Sequence, residues 1–145
     1  MFKNNIQIVA MPICELCDRL TIAKLKLQRL PEDELNKTLL QKQIAYYETG
    51  IDYTDPKICN LIAALLDING QMWDAEHDIR KGLDAMLGLA EIGKRALKIR
   101  NLNCIRVSIK NEITLLAGQP EFSDCKMNHI SQRSNSSEMT VAPSL

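Results

Sequence analysis

Glycine, proline and aromatic residues are all scarce in this sequence. Its 145 residues include six glycines, five prolines, one tryptophan, three tyrosines and two phenylalanines. Because tight turns depend on glycine and proline, few turns are expected, and the elements of secondary structure should be long. Hydrophobic residues make up 46% and charged residues 25% of the chain, which are ordinary values for a globular protein. The length suits one domain with a single core.

Neither sign of charge is in excess. Lys plus Arg and Asp plus Glu both number 18, a balance that gives no overall attraction to nucleic acid or to an anionic membrane surface. No apolar run approaches the roughly 20 residues that span a bilayer. No cleavage site follows the short apolar stretch at 6–11, so no secretory signal is recognised. The sequence predicts a cytoplasmic protein, or one in the host cytoplasm if the gene is viral, with neither membrane nor nucleic acid as a partner.

The local motifs of common catalytic and metal sites are also missing. There is no glycine-rich phosphate loop, no G-x-S-x-G and no H-E-x-x-H. The five cysteines are odd in number and scattered, unlike a disulfide framework. Cys14 and Cys17 form one C-x-x-C, but no second ligand pair completes a zinc site and no βαβ pattern surrounds it. We therefore predict no metal and no cofactor, with thiols that are buried or idle.

Helical periodicity runs through most of the chain and predicts four α-helices. Apolar residues recur at alternating spacings of three and four, as on helices packed against one another. We expect helices over about 13–30, 32–48, 56–81 and 89–117, with Gly82 and Gly88 bracketing either a linker or a helical turn. The residues expected to face inward are Leu16, Leu20, Ala23, Leu27 and Leu30, then Leu35, Leu39, Ile44 and Tyr47, then Ile58, Ile62, Leu65, Ile68, Met72, Ala75 and Ile79, and finally Ile92, Ala96, Ile99, Leu102, Ile105, Ile109, Ile113 and Leu116.

Short connections between the helices favour antiparallel hairpins. The predicted fold class is therefore all-α: an antiparallel bundle of about four helices, arranged as two helical hairpins with coiled-coil-like seams. The bundle domain should cover residues 13–118, after an N-terminal lead-in segment at 1–12. Residues 119–145 are rich in Ser, Asn and isolated charges without any period, and are predicted to form a disordered C-terminal tail.

Polar residues border the apolar seams of three predicted helices and form the candidate site. In the third helix they fall on one stripe, at i, i+4, i+7 and i+11, which includes the only tryptophan of the chain at i+4. In the fourth helix three side chains that donate hydrogen bonds share one face, at i, i+3 and i+7. The predicted ligand-binding residues are Asp18, Thr21, Asn69, Trp73, Glu76, Arg80, Asn103, Arg106 and Lys110.

Two interpretations of this polar set remain open. It can hold a small anion between Arg106, Lys110 and Arg80, or it can be a network of ion pairs and solvent-exposed groups that fixes helix register. Replacing Arg106 by alanine separates them, because an internal pair would leave a carboxylate such as Asp18 or Glu76 stranded. The donors outnumber the acids that can be placed opposite them, which favours the pocket at Arg106 and predicts that Arg106→Ala leaves the unliganded protein stable.

Three segments resemble a family of short bacterial and phage helical proteins whose function is unknown. Leu16 to Ile22, with Lys26 and Arg29, is similar to its L-x-D-K-I-T-I-L-x-I-K-x-x-R-I opening. Residues 69–80 resemble N-x-x-L-W-D-I-E-D-x-I-R, and residues 103–113 resemble N-D-x-R-x-x-x-K-x-x-I. Lys24 stands where an acid is usual, and Cys104 where the family has Asp. The resemblance implies a helical fold and the same polar residues, and it leaves function open.

The first functional hypothesis is a non-enzymatic helical binding or interaction protein. Its polar centre would hold a small anionic ligand, bearing phosphate or carboxylate, and the chain is expected to form a homo-oligomer, most simply a dimer. One alternative is a small all-helical enzyme acting on an anionic metabolite or a sugar nucleotide. Another is a purely structural subunit that dimerises through its apolar seams.

Overall fold

A computed structural model describes residues 10–30 and 33–124, and the regular elements in these ranges are all helical. The helices are α1 (Ile13–Arg29), α2 (Glu34–Glu48), α3 (Pro56–Arg80) and α4 (Asp84–Leu116), followed by a 3-10 helix at Pro120–Phe122. The prediction of an all-α fold with four helices is confirmed. None of these helices, within the described ranges, has an apolar stretch long enough to cross a lipid bilayer.

Two of the helices begin at an aspartate that caps free backbone N–H groups. The Asp33 carboxylate accepts hydrogen bonds from the backbone N–H groups of Leu35 and Asn36 at the start of α2. Asp55 accepts one from Lys57 at 2.9 Å, with Pro56 as the first residue of α3. A proline is tolerated there because its missing N–H would have had no partner within the helix. The Asp-Pro signal thus marks the start of α3 where the sequence placed it.

The sequence left open whether the segment between α3 and α4 is a linker or a helical turn. It contains a helical turn, so α4 begins at Asp84 and not near residue 89. Gly88 interrupts the turn with a φ of 77° and a ψ of 158°, a backbone conformation that residues with a Cβ rarely adopt. The bend leaves the neighbouring side chains of Met86 and Leu89 more than four-fifths exposed, at 83% and 88%.

The core lies between α1, α3 and α4. Going along α1 from its first residue to its last, the contacted residues of α4 have decreasing numbers and those of α3 have increasing numbers. α1 therefore runs antiparallel to α4 and parallel to α3. Among the described helices, α2 packs on α1 alone, as the outer arm of the first hairpin. The buried apolar residues of this core are Cys14, Cys17, Leu20, Ile51, Ile58, Ile62, Leu65, Ile68, Leu102, Ile109 and Ile113.

Several residues predicted to face inward are exposed instead. Leu35 and Leu39 are 68% and 48% exposed because α2 lies outside the core and meets only one neighbour. Leu30 is exposed because α1 ends one residue earlier, at Arg29. On α4, Ala96, Ile105 and Leu116 are exposed, since the buried stripe of this helix follows Leu102, Ile109 and Ile113.

The first residues of the predicted tail pack back onto the bundle. The Gln119 side-chain oxygen accepts a hydrogen bond from the backbone N–H of Ile13 at 3.1 Å. The backbone N–H of Asp124 donates to the Asn111 side chain at 2.9 Å. Through these contacts, residues 119–124 pack with the bundle, beyond the predicted boundary at residue 118. The remainder of the tail, 125–145, and residues 1–9 of the lead-in lie outside the described residues.

We predict that backbone amides of α2 exchange with solvent faster than the central amides of α1, α3 and α4. No side chain of α2 is fully buried, and among the described helices α2 contacts α1 alone, so opening it exposes less of the core than opening α1, α3 or α4 would. Hydrogen exchange followed by mass spectrometry, at a concentration that keeps the chain monomeric, measures this. Tyr47→Ala, which removes a contact with the core, should speed exchange in α2 only, whereas Gln41→Ala at an exposed position should not. Equal protection of α2 and α3 would contradict the prediction.

Candidate functional site

A buried carboxylate, that of Asp18, lies at the centre of the polar site. Asp18 is only 3% exposed to solvent. Oδ1 accepts hydrogen bonds from Arg106 Nε at 2.9 Å and from Asn69 Nδ2 at 3.0 Å, and Oδ2 pairs with the Nη2 of Arg106. Two parallel bonds between a guanidinium and a carboxylate are among the strongest polar contacts in proteins. One side chain of α1 is thereby joined to both α3 and α4.

The spacing of α1 explains why an aspartate is buried here. Cys14, Cys17, Asp18 and Thr21 fall at i, i+3, i+4 and i+7 on one face of the helix, and all four are buried. The Thr21 hydroxyl donates to the backbone oxygen of Asp18 at 2.8 Å. It also accepts the second amide proton of Asn69, at 2.9 Å. The polar atoms on this face therefore satisfy one another.

A second ion pair runs beside the first along the contact between α1 and α4. Lys110 Nζ donates to Glu15 Oε1 at 2.8 Å, one turn from the Asp18–Arg106 pair. Arg106 Nη1 also donates to Asn103 Oδ1 at 3.2 Å. Two acids at i and i+3 on α1 thus face two cations at i and i+4 on the antiparallel helix. This ladder favours one register of α1 against α4, because sliding either helix by a turn would leave only one acid opposite a cation.

The pKa values show that the central pair stays charged. Burial acts to raise the pKa of Asp18, but hydrogen bonds from Arg106 and Asn69, together with the positive charges of Arg106 and Lys110, lower it below its usual value. The hydrogen bond to Asp18 raises the pKa of Arg106, against the effect of burial. A carboxyl group with a lowered pKa carries no proton near neutral pH, so Asp18 is unsuited to act as a general acid.

The network is complete without any added group. Among the residues that the structure describes, no buried side-chain nitrogen or oxygen lacks a hydrogen-bond partner. If a buried polar group needed a ligand as its hydrogen-bond partner, that group would have no partner within the chain. The geometry therefore favours the structural interpretation of the polar centre. The cations expected to await an anion each contact a carboxylate instead: Arg106 with Asp18, Lys110 with Glu15, and Arg80 with Glu76.

Six of the nine predicted site residues meet in this network, and three do not. Trp73, Glu76 and Arg80 follow Asn69 on α3 but lie further along the helix, where Arg80 pairs with Glu76 one turn away. Arg29, the last residue of α1, already reaches Gly70 and Asp74. The stripe from residue 69 to residue 80 extends about 16 Å along the axis, past the end of α1. A stripe of that length cannot converge on one site.

Glu15 is the network residue that sequence reasoning missed. It is an acid in the first turn of α1, where such residues are common for reasons of helix polarity alone. The sequence did carry a signal for it. Glu15 precedes Asp18 by three residues and Arg106 precedes Lys110 by four, so each pair of like charges lies one helical turn apart. Recognising it required knowing that α1 and α4 are antiparallel neighbours.

The cysteines of the C-x-x-C segment belong to the core. Cys14 and Cys17 are free and buried, as expected, whereas Cys59 and Cys104 are partly exposed and Cys125 lies outside the described residues. Burial, with smaller effects of Cys14 and Asp18, raises the pKa of the Cys17 thiol to about 12. The thiolate, which is the metal-binding and nucleophilic form, is therefore disfavoured at this position.

Comparisons with known proteins give no family for the chain: no family model matches it, and neither a curated protein nor a solved structure is found to be similar. The resemblance to bacterial and phage helical proteins therefore remains a prediction, as does the cytoplasmic location. What can be said of function rests on the geometry of the bundle itself.

We predict that Arg106→Ala lowers the free energy of unfolding by about 3 kcal/mol, because it leaves the buried Asp18 carboxylate without its cation. This reverses the expectation drawn from counting donors in the sequence. Arg80→Ala is the matched control, since Arg80 is 69% exposed and its pair with Glu76 is on the surface; its loss should cost less than about 1 kcal/mol. Chemical denaturation of both variants measures the difference. Similar values for the two would show that the buried pair has no special role.

We also predict that Asp18 makes the fold sensitive to acid. Because its pKa is lowered in the folded protein, the stabilisation is fully present above the ordinary aspartate pKa of about 4. It is lost as the pH falls from there through the folded pKa, since the unfolded chain binds the proton first. Asp18→Asn should flatten the fall in unfolding free energy in this range, and Asp67→Asn, at an exposed carboxylate, should not. Parallel acid profiles for the wild type and Asp18→Asn would contradict the prediction.

Proposed function

We propose that this chain is a non-enzymatic helical interaction protein that works as a homodimer, with the outer face of α2 as the contact surface. One observation carries the proposal: α2 bears apolar side chains on two opposite faces, and only one of these faces is covered. Ile44 and Tyr47 on the inner face pack against the core. The outer face, formed by Leu35, Leu39 and Tyr46, has no covering element among the described residues.

The outer face has the spacing of a helix contact surface. Leu35, Leu39 and Tyr46 fall at i, i+4 and i+11, which places them on one stripe of the helix. They are 68%, 48% and 71% exposed. The ring of Tyr46 lies edge-on to the ring of Tyr47, a residue of the inner face, with the two ring centroids 6.0 Å apart. An exposed apolar stripe on a helix is typical of surfaces that bind another protein.

A second copy of the chain is the partner that fits this stripe. Two-fold pairing places the stripe of one copy antiparallel against the same stripe of the other, so one surface supplies both halves of the contact. Its central position, i+7, is Lys42, whose long stem can lie along apolar surface while the ammonium group reaches the rim. No acidic residue interrupts α2 between Glu34 and Glu48, so no carboxylate would be buried at the centre of the contact.

The polar centre supports this function indirectly. α2 is held by α1 alone, and α1 is held in register by its pairs with α4. The network therefore fixes the helix on which the contact surface rests. Because those charges are paired within the chain, we do not place the ligand of the first functional hypothesis at Arg106, Lys110 and Arg80.

We predict that the wild-type chain sediments at twice its 16.4 kDa mass in analytical ultracentrifugation at tens of micromolar concentration. Leu39→Glu places a charge at the middle of the stripe and should give the monomer with an unchanged far-UV circular dichroism spectrum. Leu115→Glu, at a leucine of α4 that is 63% exposed and distant from the stripe, is the matched control and should remain dimeric. A wild-type chain that stays monomeric throughout this range would overturn the proposal.

A further inference from the structure

A polar cleft opens between α1 and α2, directly above the Asp18–Arg106 pair. Its volume is about 460 Å³, within the range of pockets that hold small molecules. One wall is formed by Arg19, Ile22 and Lys26 of α1, and the other by Gln43 and Tyr47 of α2. The cleft is separate from the outer face of α2, because Gln43 and Tyr47 are on the side of the helix that faces α1.

The charges around the cleft do not cancel completely. At its floor, Asp18 is neutralised by Arg106 and Glu15 by Lys110. Arg19 and Lys26 also line the cleft, and neither has a carboxylate within 4.0 Å among the residues that the structure describes. Within the described part of the chain, two cations on one wall thus have no paired carboxylate, above a floor whose charges are balanced.

The geometry suits a ligand with more than one anionic group. Arg19 and Lys26 are seven residues apart on α1, about 10 Å along the axis, so their long side chains can converge on groups between them. The opposite wall adds a side-chain amide at Gln43 and a phenol at Tyr47, both of which can hydrogen-bond an anionic oxygen. A single exposed ion pair contributes little binding energy, and a second cation with neutral donors is what raises affinity and selectivity.

We propose that this cleft binds a small molecule carrying two neighbouring anionic groups, of the diphosphate class. Arg19 and Lys26 each hold one end, and Gln43 and Tyr47 hydrogen-bond the oxygens between them. The site lies within one chain and does not depend on dimerisation.

Pyrophosphate is the probe that tests this proposal, with titration calorimetry and thermal unfolding of the full chain in low salt as the two readouts. Pyrophosphate should bind, and Tm should rise with the logarithm of its concentration once that concentration exceeds Kd; inorganic phosphate should bind at least several-fold more weakly. Arg19→Ala and Lys26→Ala should each weaken pyrophosphate binding by roughly three- to tenfold. Both residues are exposed, so neither change should alter the Tm of the unliganded protein.

Lys57→Ala is the matched control, because Lys57 is exposed in the first turn of α3 and does not line the cleft. It should leave binding unchanged, and the monomeric Leu39→Glu chain should bind pyrophosphate as the wild type does. Absence of binding at millimolar pyrophosphate would overturn the proposal. So would binding that Lys57→Ala weakens as much as Lys26→Ala, since that would indicate attraction to surface charge alone. Equal affinity for phosphate and pyrophosphate would overturn the requirement for two anionic groups.

Discussion

The ion pair between Asp18 and Arg106 is the interaction on which the arrangement of the bundle depends. Removing two charges from water is costly, and the cost is recovered only where geometry is good and the remaining polar atoms are satisfied. Here the guanidinium makes two bonds to one carboxylate, Asn69 adds a third, and Thr21 completes the set. Because apolar helix faces slide past one another at little cost, a polar contact of this kind selects one register among several with similar apolar burial.

α2 lies at the periphery of the bundle because it contributes no fully buried residue to the core. α1, α3 and α4 share the buried residues, whereas α2 contributes only partly buried ones and depends on α1 for its place. A helix held in this way presents two surfaces of different chemistry. Its outer stripe is apolar and suits a second copy, while its inner edge faces a cleft lined by two cations that pair with no carboxylate of the described residues. The two proposals therefore concern different sides of one helix and can fail independently.

The sequence was sufficient to predict the elements that depend on local rules. Helical periodicity placed all four helices, and the Asp55–Pro56 cap located the start of α3 to the residue. The seam pattern also put Asp18, Asn69 and Arg106 at the border of the core, where they are found together. These predictions succeed because spacing along a helix determines which side chains share a face.

Other features required knowledge of which helices are neighbours. An amphipathic pattern shows that a helix has an apolar face but not what covers it, so Leu35 and Leu39 were assigned to the core although α2 lies outside it. The stripe from Asn69 to Arg80 was grouped into one site because its spacing is regular, yet α1 ends opposite Asp74. The cleft could not be foreseen for the same reason, since Arg19 and Lys26 acquire Gln43 and Tyr47 as neighbours only through the packing of α2 on α1.

A double-mutant cycle on Asp18 and Arg106 tests the central claim most directly. The unfolding free energies of the wild type, Asp18→Ala, Arg106→Ala and the double variant give the coupling between the two side chains, free of their separate contributions to packing. If the pair organises the bundle, the coupling should be on the order of 2–3 kcal/mol, with the double variant less destabilised than the sum of the single ones. A coupling near zero would contradict the account and would mean that apolar packing alone sets the register of α1 against α4.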